Sequence, residues 1–368
     1  MVTRRMADLP VSFQEWERAA RRKLGEERFA YVASGAGSGS SVAENVEALK
    51  KWKLVPMIQR NTTSLSLSVE VLGMDFPVPF MLAPVRGLAY LRENGEEICA
   101  RAAKSSTVPL VLSNLSSITP ELVSQLMGKT PKFFQLYPCS DLEIVDSFIR
   151  RVEQAGYQGI FLTVDTVPGV IQYSGPRTNE YQNYGNEVYF SDPVFLSRLK
   201  KHPREDRQAA LDMIRLIRKT RFTWEEITRI HKMTNLPIVL KGVLNPRDAL
   251  EAISIGVQGI VVSNHGGRSV DAVVSPLDVL PEIREAAGDR LAVLYDGGIH
   301  SGYDIVKVLA LGADAVLVGR AYVYGLAVAG EQGLTAIFKM MNREIENALV
   351  SLSCSSVGEL ERSFVRRV

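Results

Sequence analysis

The sequence predicts an α/β protein built as a (β/α)8 TIM barrel. Three observations carry that reading. Eight short apolar runs rich in β-branched residues are spread along the 368 residues. Amphipathic, helix-like stretches separate most of them, and strand alternating with helix argues for a parallel sheet. Glycine-rich loops with a cation follow the seventh and eighth runs, where barrels commonly build a phosphate site. An open doubly wound sheet is the alternative architecture, but no G-x-G-x-x-G follows the first run.

In chain order, the first element expected is a helix over residues 13–24, because Ser12-Phe13-Gln14-Glu15 has the spacing of a capping box. Strands are expected at residues 78–83, 109–112, 133–136, 159–162, 237–240, 259–262, 291–295 and 315–318. Residues 142–153 and 303–311 exemplify the helices between them. Between the fourth and fifth strands, residues 167–235 far exceed the ~2–6 residues usual for such a loop. This insertion is rich in Tyr, Asn and Pro early and helical later, over residues 207–219 and 224–233. Lying on the catalytic face, it is a candidate lid. A single domain over residues 1–368 is expected, with an N-terminal helical segment over about residues 1–60 and the barrel over about residues 70–350.

With 46% hydrophobic and 23% charged residues, the chain has the composition of a soluble globular protein. A formal charge of +2 gives no case for nucleic acid, and the short basic runs Arg21-Arg22-Lys23 and Arg366-Arg367 read as solvated faces. Cys99, Cys139 and Cys354 are odd in number and scattered, which suits free thiols in a reducing compartment. No apolar stretch follows Met1-Val2-Thr3-Arg4-Arg5, no segment approaches the ~18 apolar residues of a membrane span, and Arg366-Arg367-Val368 is not a peroxisomal address. The cytoplasm is the expected location.

Barrel active sites lie just past the strand ends. The polar groups there are Arg86; Ser113 and Asn114; Gln135 and Tyr137; Thr163 and Asp165; Lys241; Ser263, His265 and Arg268; Asp296; and Arg320. His265 and Arg268 flank two glycines directly after a β-branched run, so a base and an anion clamp share one loop. His202 and His231 fall in the helical part of the insertion, and His300 in the phosphate-like loop, which leaves His265 as the natural base. The loops Asp296-Gly297-Gly298-Ile299-His300 and Gly319-Arg320 offer backbone N–H groups and a cation to an anionic oxygen. No cluster has metal-ligand spacing, so a metal mechanism is not expected.

At these residues the chain resembles the FMN-dependent L-2-hydroxy acid oxidases and dehydrogenases, over about residues 31–360. The markers are Tyr31-Val32-Ala33-Ser34-Gly35-Ala36, Trp52-Lys53-Leu54, Phe134-Gln135-Leu136-Tyr137, Leu162-Thr163-Val164-Asp165-Thr166, Leu240-Lys241-Gly242, the His265 motif, Asp296-Gly297-Gly298 and Gly319-Arg320. The resemblance implies FMN as cofactor and oxidation of the CH–OH group of a 2-hydroxy acid, with a non-standard substrate expected from the departures below. Gln135, Thr163, Lys241 and Ser263 would hold the flavin ring, with Pro84, Val85, Arg86 and Asn114 alongside. Asp296, Gly297, Gly298, His300, Gly319 and Arg320 would hold the ribityl phosphate. His265 would be the base, Asp165 its carboxylate partner, Arg268 and Tyr31 the carboxylate site, and Tyr137 the contact to the reacting oxygen. It also implies a homo-oligomer, a tetramer. No haem-binding domain is appended, so oxygen or a diffusible carrier is the expected electron acceptor.

Four positions depart from the family pattern. Gln172 stands where a second substrate-binding Arg is usual, Arg86 where Ala or Gly is usual, Asn114 where Ser is usual, and His300 in place of a phosphate-binding Arg, although its backbone N–H could still serve. Arg86 could restore the missing charge, or Arg177 could swing in from the insertion. Otherwise the pocket is rebuilt for another substrate, such as a larger hydroxy acid or an amine from a biosynthetic route. A non-catalytic flavin-binding scaffold and an isomerase-type FMN barrel are the remaining alternatives.

Overall fold

Alternating side chains along short strands account for both the filling of the barrel and the polar floor above it. In a computed structural model describing residues 9–58, 64–167, 169–219 and 222–368, twelve strands are seen. They are β1 (Trp52–Leu54), β2 (Val69–Val71), β3 (Met74–Phe76), β4 (Phe80–Leu82), β5 (Leu110–Ser113), β6 (Lys132–Leu136), β7 (Ile160–Thr163), β8 (Ile238–Val243), β9 (Gly259–Val262), β10 (Ala292–Asp296), β11 (Ala315–Val318) and β12 (Val365–Arg367). Strands β4 to β11 run parallel in sequence order, and β11 pairs back onto β4 to close the barrel. The doubly wound alternative is thereby excluded. All eight barrel strands overlap the sequence expectation. Residues Met1–Arg5, read for a leader, and Pro168 of the insertion lie outside the described residues.

Side chains from all eight strands fill the barrel: Met81, Val111, Phe133, Phe161, Val239, Val261, Leu294, and Ala315 with Leu317 belong to one buried apolar cluster. Val71 and Phe76 of the β2–β3 hairpin join this cluster, so the hairpin plugs the end away from the strand C-termini. The opposite strand faces, such as Phe80, Leu112, Phe134 and Ile160, pack into the larger core shared with the surrounding helices. Two residues beyond the apolar layer, the same inward face carries Ser113, Gln135, Thr163, Lys241, Ser263 and Asp296. Period-two alternation thus converts six apolar positions into a convergent polar layer at the strand C-termini.

Helix α1 (Phe13–Ala33) begins where expected, and Gly25 at φ 73°, ψ 169° breaks it just past residue 24. Ser12 accepts from the Glu15 N–H, but the Glu15 carboxylate reaches back to the Val11 N–H (2.9 Å) rather than to Ser12, so the box is displaced by one residue. The full reciprocal box occurs instead at Thr223 and Glu226, opening the helix Trp224–His231. Helix α2 (Ser40–Lys50) lies against the loop after β9. The sequence reading missed β1, β2, β3 and β12, each three residues long. Among them β1 and β12 pair antiparallel, so Arg366 and Arg367 belong to a strand. Among the described residues, no helix is long and apolar enough to cross a membrane.

The insertion after β7 folds into the short helices Glu187–Phe190 and Pro193–Ser197 and the longer Arg207–Ile217 and Trp224–His231. It leans on the barrel mouth at several points. Ser140 N–H donates to Ile217 O (2.8 Å), Gly37 N–H to Ile171 O (2.6 Å), and Tyr173 N–H to Gly37 O (3.0 Å).

Candidate active site

Above the polar layer opens one cavity of about 620 Å³, roofed by the insertion, a volume typical of small-molecule sites. Most residues expected at a site line it: Tyr31, Pro84, Val85, Arg86, Tyr137, Gln172, Lys241, His265, Arg268, Asp296, Gly297, Gly298, His300, Gly319 and Arg320. Gln135, Thr163 and Ser263 form the floor, fully buried and bonded to one another's neighbours. Ser113 Oγ donates to Gln135 Oε1 (3.1 Å), and Gln135 Nε2 to Thr163 Oγ1 (2.9 Å). Lys241 Nζ donates to Ser263 Oγ (3.2 Å) and pairs with Asp296 (2.7 Å), and Ser263 Oγ donates to Asp296 Oδ1 (2.5 Å). Asn114 is not on the cavity wall. It is fully buried and turned aside, its amide donating to Tyr137 O (3.4 Å).

The loop after β9 delivers the base. His265 adopts φ 59°, an uncommon backbone region for a side-chain-bearing residue. Its N–H donates to Ser263 Oγ (2.9 Å), and Asn264 beside it exchanges two 2.8 Å hydrogen bonds with Asn45 of α2. Gly267, at φ 75°, lets α2 approach: a Cβ there would stand 2.6 Å from Val42 N. Asp271 then ties the end of the loop to Ser38, Ser40 and Ser41 at the start of α2.

His265 Nδ1 lies 2.9 and 3.1 Å from the Asp165 carboxylate, and Nε2 lies 3.2 Å from Tyr137 OH. Burial pushes the Asp165 carboxyl upward, but the charge and hydrogen bond of His265, with Lys241 nearby, outweigh it and hold the group below its usual value. Asp165 is therefore an anion at neutral pH. An anion accepts only, so Nδ1 donates to it, and Nε2 is left facing Tyr137 and the cavity. Burial raises the Tyr137 phenol, which stays protonated. The bulge at Gly242 makes room for this chain, since a Cβ at that φ of 113° would meet Asp165 Cβ at 2.5 Å.

The arginines are engaged more heavily than the sequence suggests. Arg268 Nη1 donates to Val32 O (3.1 Å) and Ser34 O (2.9 Å), and the guanidinium sits 5.7 Å from the Tyr31 ring centre. Arg320 donates to the same two carbonyls and to Gly266 O (3.0 Å). Burial, reinforced by Arg268, pulls the Arg320 guanidinium down to about 10. Arg86 turns into the insertion, donating to Gln182 O (3.3 Å), Tyr184 O (3.4 Å) and Asn186 Oδ1 (3.5 Å). Tyr31 OH donates to Arg86 O (3.0 Å).

Arg177 does not swing in, because its segment is held outside the cavity by Glu27. The insertion contributes Arg215 and Arg218 instead. Arg218 was hidden in the sequence at the end of an amphipathic stretch that reads as a surface helix. His300 also differs from expectation. Its imidazole stacks on Phe13 (ring centres 3.4 Å apart, 9° between planes), and its N–H donates to Asp304 Oδ2 (3.3 Å). Burial lowers the imidazole to about 4, with Arg320 and Lys50 reinforcing it against the Asp304 charge, so the ring is neutral at pH 7.

The donor set fits a phosphorylated flavin. Two adjacent arginines with only neutral carbonyl partners demand an anion, because an unpaired buried charge is costly. A Cβ on Gly319 would meet nothing within 4 Å, which leaves open space beside Arg320. The floor offers both donors and acceptors to a heterocycle edge.

Comparison with known proteins agrees with this geometry. The sequence pattern of the family described as FMN-dependent dehydrogenase matches residues 20–367. The chain is 34% identical to an L-lactate oxidase of Lysinibacillus sphaericus, over 95% of this chain and 91% of that protein. It is 35% identical to a 4-hydroxymandelate oxidase of Amycolatopsis orientalis, over 96% of this chain and 97% of that protein. A crystal structure of mandelate oxidase superposes with a TM-score of 0.86 at 32% identity, covering 97% of this chain and 98% of the other.

Proposed function

The chain belongs to the FMN-dependent dehydrogenase family, and from that premise we propose which residues carry the oxidation of a 2-hydroxy acid. The protein is an FMN-dependent oxidoreductase, and bound FMN supplies the two-electron acceptor for the CH–OH group. Gln135, Thr163, Lys241 and Ser263 hold the ring. Asp296, Gly297, Gly298, Gly319 and Arg320 hold the phosphate side, with Pro84 and Val85 on the adjoining wall.

His265 takes the substrate proton at Nε2. The carboxylate of Asp165 then faces an imidazolium across about 3 Å, an ion pair strengthened by the dry surroundings. Tyr137 OH, now released by His265, donates to the reacting oxygen. Arg268 keeps Nε and Nη2 for the substrate carboxylate, while its Nη1 remains on Val32 and Ser34. Gln172 adds an uncharged hydrogen bond from the insertion. Electrons leave to oxygen or to a diffusible carrier.

The observation carrying this assignment is the chain Asp165–His265–Tyr137 opening onto the cavity that Arg268 also lines. His265→Ala should retain yellow flavin yet lose ~10²-fold or more in the rate of anaerobic flavin reduction. An unchanged rate would sink the assignment.

A further inference from the structure

The cavity wall carries six cations: Arg86, Arg215, Arg218, Lys241, Arg268 and Arg320. Arg215 is paired with Asp212 (2.7 Å) and Lys241 with Asp296 (2.7 Å). Among the described residues, no carboxylate lies within ion-pair distance of the other four. A flavin phosphate brings about −1.5 to −2 charge, and the carboxylate of a 2-hydroxy acid brings one more. Arg86, Arg268 and Arg320 are half-buried and Arg218 is exposed; these four guanidiniums face about three negative charges, and one cation remains over.

Geometry says where the excess lies. Arg268 and Arg320 share the Val32 and Ser34 carbonyls and so stand together, one for the carboxylate and one for the phosphate. Arg86 and Arg218 stand on the insertion side, where each adds its field to Tyr189. Arg86 stacks over Tyr181 (5.8 Å) and Arg268 over Tyr31 (5.7 Å), on two rings that are themselves stacked 5.0 Å apart. Nη1 of Arg86 and the whole Arg218 guanidinium have no hydrogen-bond partner among the described residues. Pro138, Leu211 and Ile214 add apolar surface to the same cavity.

We propose that the substrate is a 2-hydroxy acid bearing a second anionic group, a carboxylate or phosphate, at the far end of its side chain, received by Arg218 and by Nη1 of Arg86. This rests on the 2-hydroxy acid reading above and adds the substrate class. It also accounts for Gln172: the distal anion needs a cation deeper in the insertion, not a second one at the reacting end.

The test is anaerobic bleaching of the FMN holoenzyme by matched pairs, 2-hydroxyglutarate against 2-hydroxyhexanoate and 4-carboxymandelate against mandelate. The diacid of at least one pair should be favoured about tenfold or more in reduction rate over dissociation constant, the scale of one hydrogen bond to a charged group. The matching 2-oxo diacid, titrated by flavin absorbance, should bind tighter than its monoacid by a similar factor. Arg218→Ala should cut both preferences about tenfold, Arg218→Lys should keep part of them, and added salt should shrink them. Monoacids that reduce the flavin and bind as well as diacids, or preferences unmoved in Arg218→Ala, overturn the proposal and leave the 2-hydroxy acid reading standing. Bleaching by neither kind overturns that reading, and the proposal with it.

Discussion

His300 shows how one substitution changes the physics of an anion site. Where the family resemblance leads one to expect a permanently charged arginine, this chain has an imidazole stacked on Phe13 and held near 4. In the unfolded chain the ring protonates near 6.5, so as pH falls from about 6.5 to about 4 the unfolded state binds the proton first. Stability from this residue is thus fully present above about 6.5 and lost on acidification, by on the order of 3 kcal/mol. Urea unfolding of flavin-free protein at pH 7 and pH 5 should show this fall, and His300→Phe should flatten it. Equal slopes in the two proteins would show that the ring is not held neutral. The same residue illustrates a limit on reading sequence: its place in a phosphate-like loop was legible, but its stacking partner is 287 positions away and carries no local signal.

Among the elements, α2 supports the loop after β9 as much as β9 itself does. The reciprocal Asn45–Asn264 amide pair is buried, and Asn264 also accepts from Gly267 N–H (3.0 Å). Asn45→Ala should cost about 1–3 kcal/mol for the amide left unpaired, measured by urea unfolding. It should also slow flavin reduction about tenfold while FMN stays bound, because His265 at positive φ loses its brace. Full retention of the rate would mean that the β9 loop holds its own shape. The eight barrel strands were legible because burial on both faces leaves continuous β-branched runs. The polar floor was legible as the positions just past them. Strands β1, β2, β3 and β12 were not, since three residues give no periodicity. The displaced box at Glu15 and the pairing of Asn45 with Asn264 depend on how distant segments meet, so spacing alone could not supply them. Arg218 escaped for a related reason: helical periodicity places a residue on a helix but does not say that the helix end overhangs a cavity.

At the scale of the molecule, FMN is part of the electrostatic balance. Arg268 and Arg320 share two neutral carbonyls, and among the described residues neither has a carboxylate partner. Free FMN at a hundredfold excess over its dissociation constant should stabilise the fold by about 2.7 kcal/mol. Stripped protein should melt at lower temperature, FMN should restore the loss, and inorganic phosphate should restore part of it. Identical melting with and without FMN would contradict the assignment of Arg320 to the phosphate.

The pairing of β1 with β12, and the clasp of Val32 and Ser34 by Arg320, join segments about 290 or more residues apart in sequence. On the ribosome the residues of α1 emerge before residue 320. Until then Arg320 is absent, and Val32 and Ser34 wait without it. Long-range closure of this kind is slow to form. A product truncated before residue 320 would lack the clasp on Val32 and Ser34.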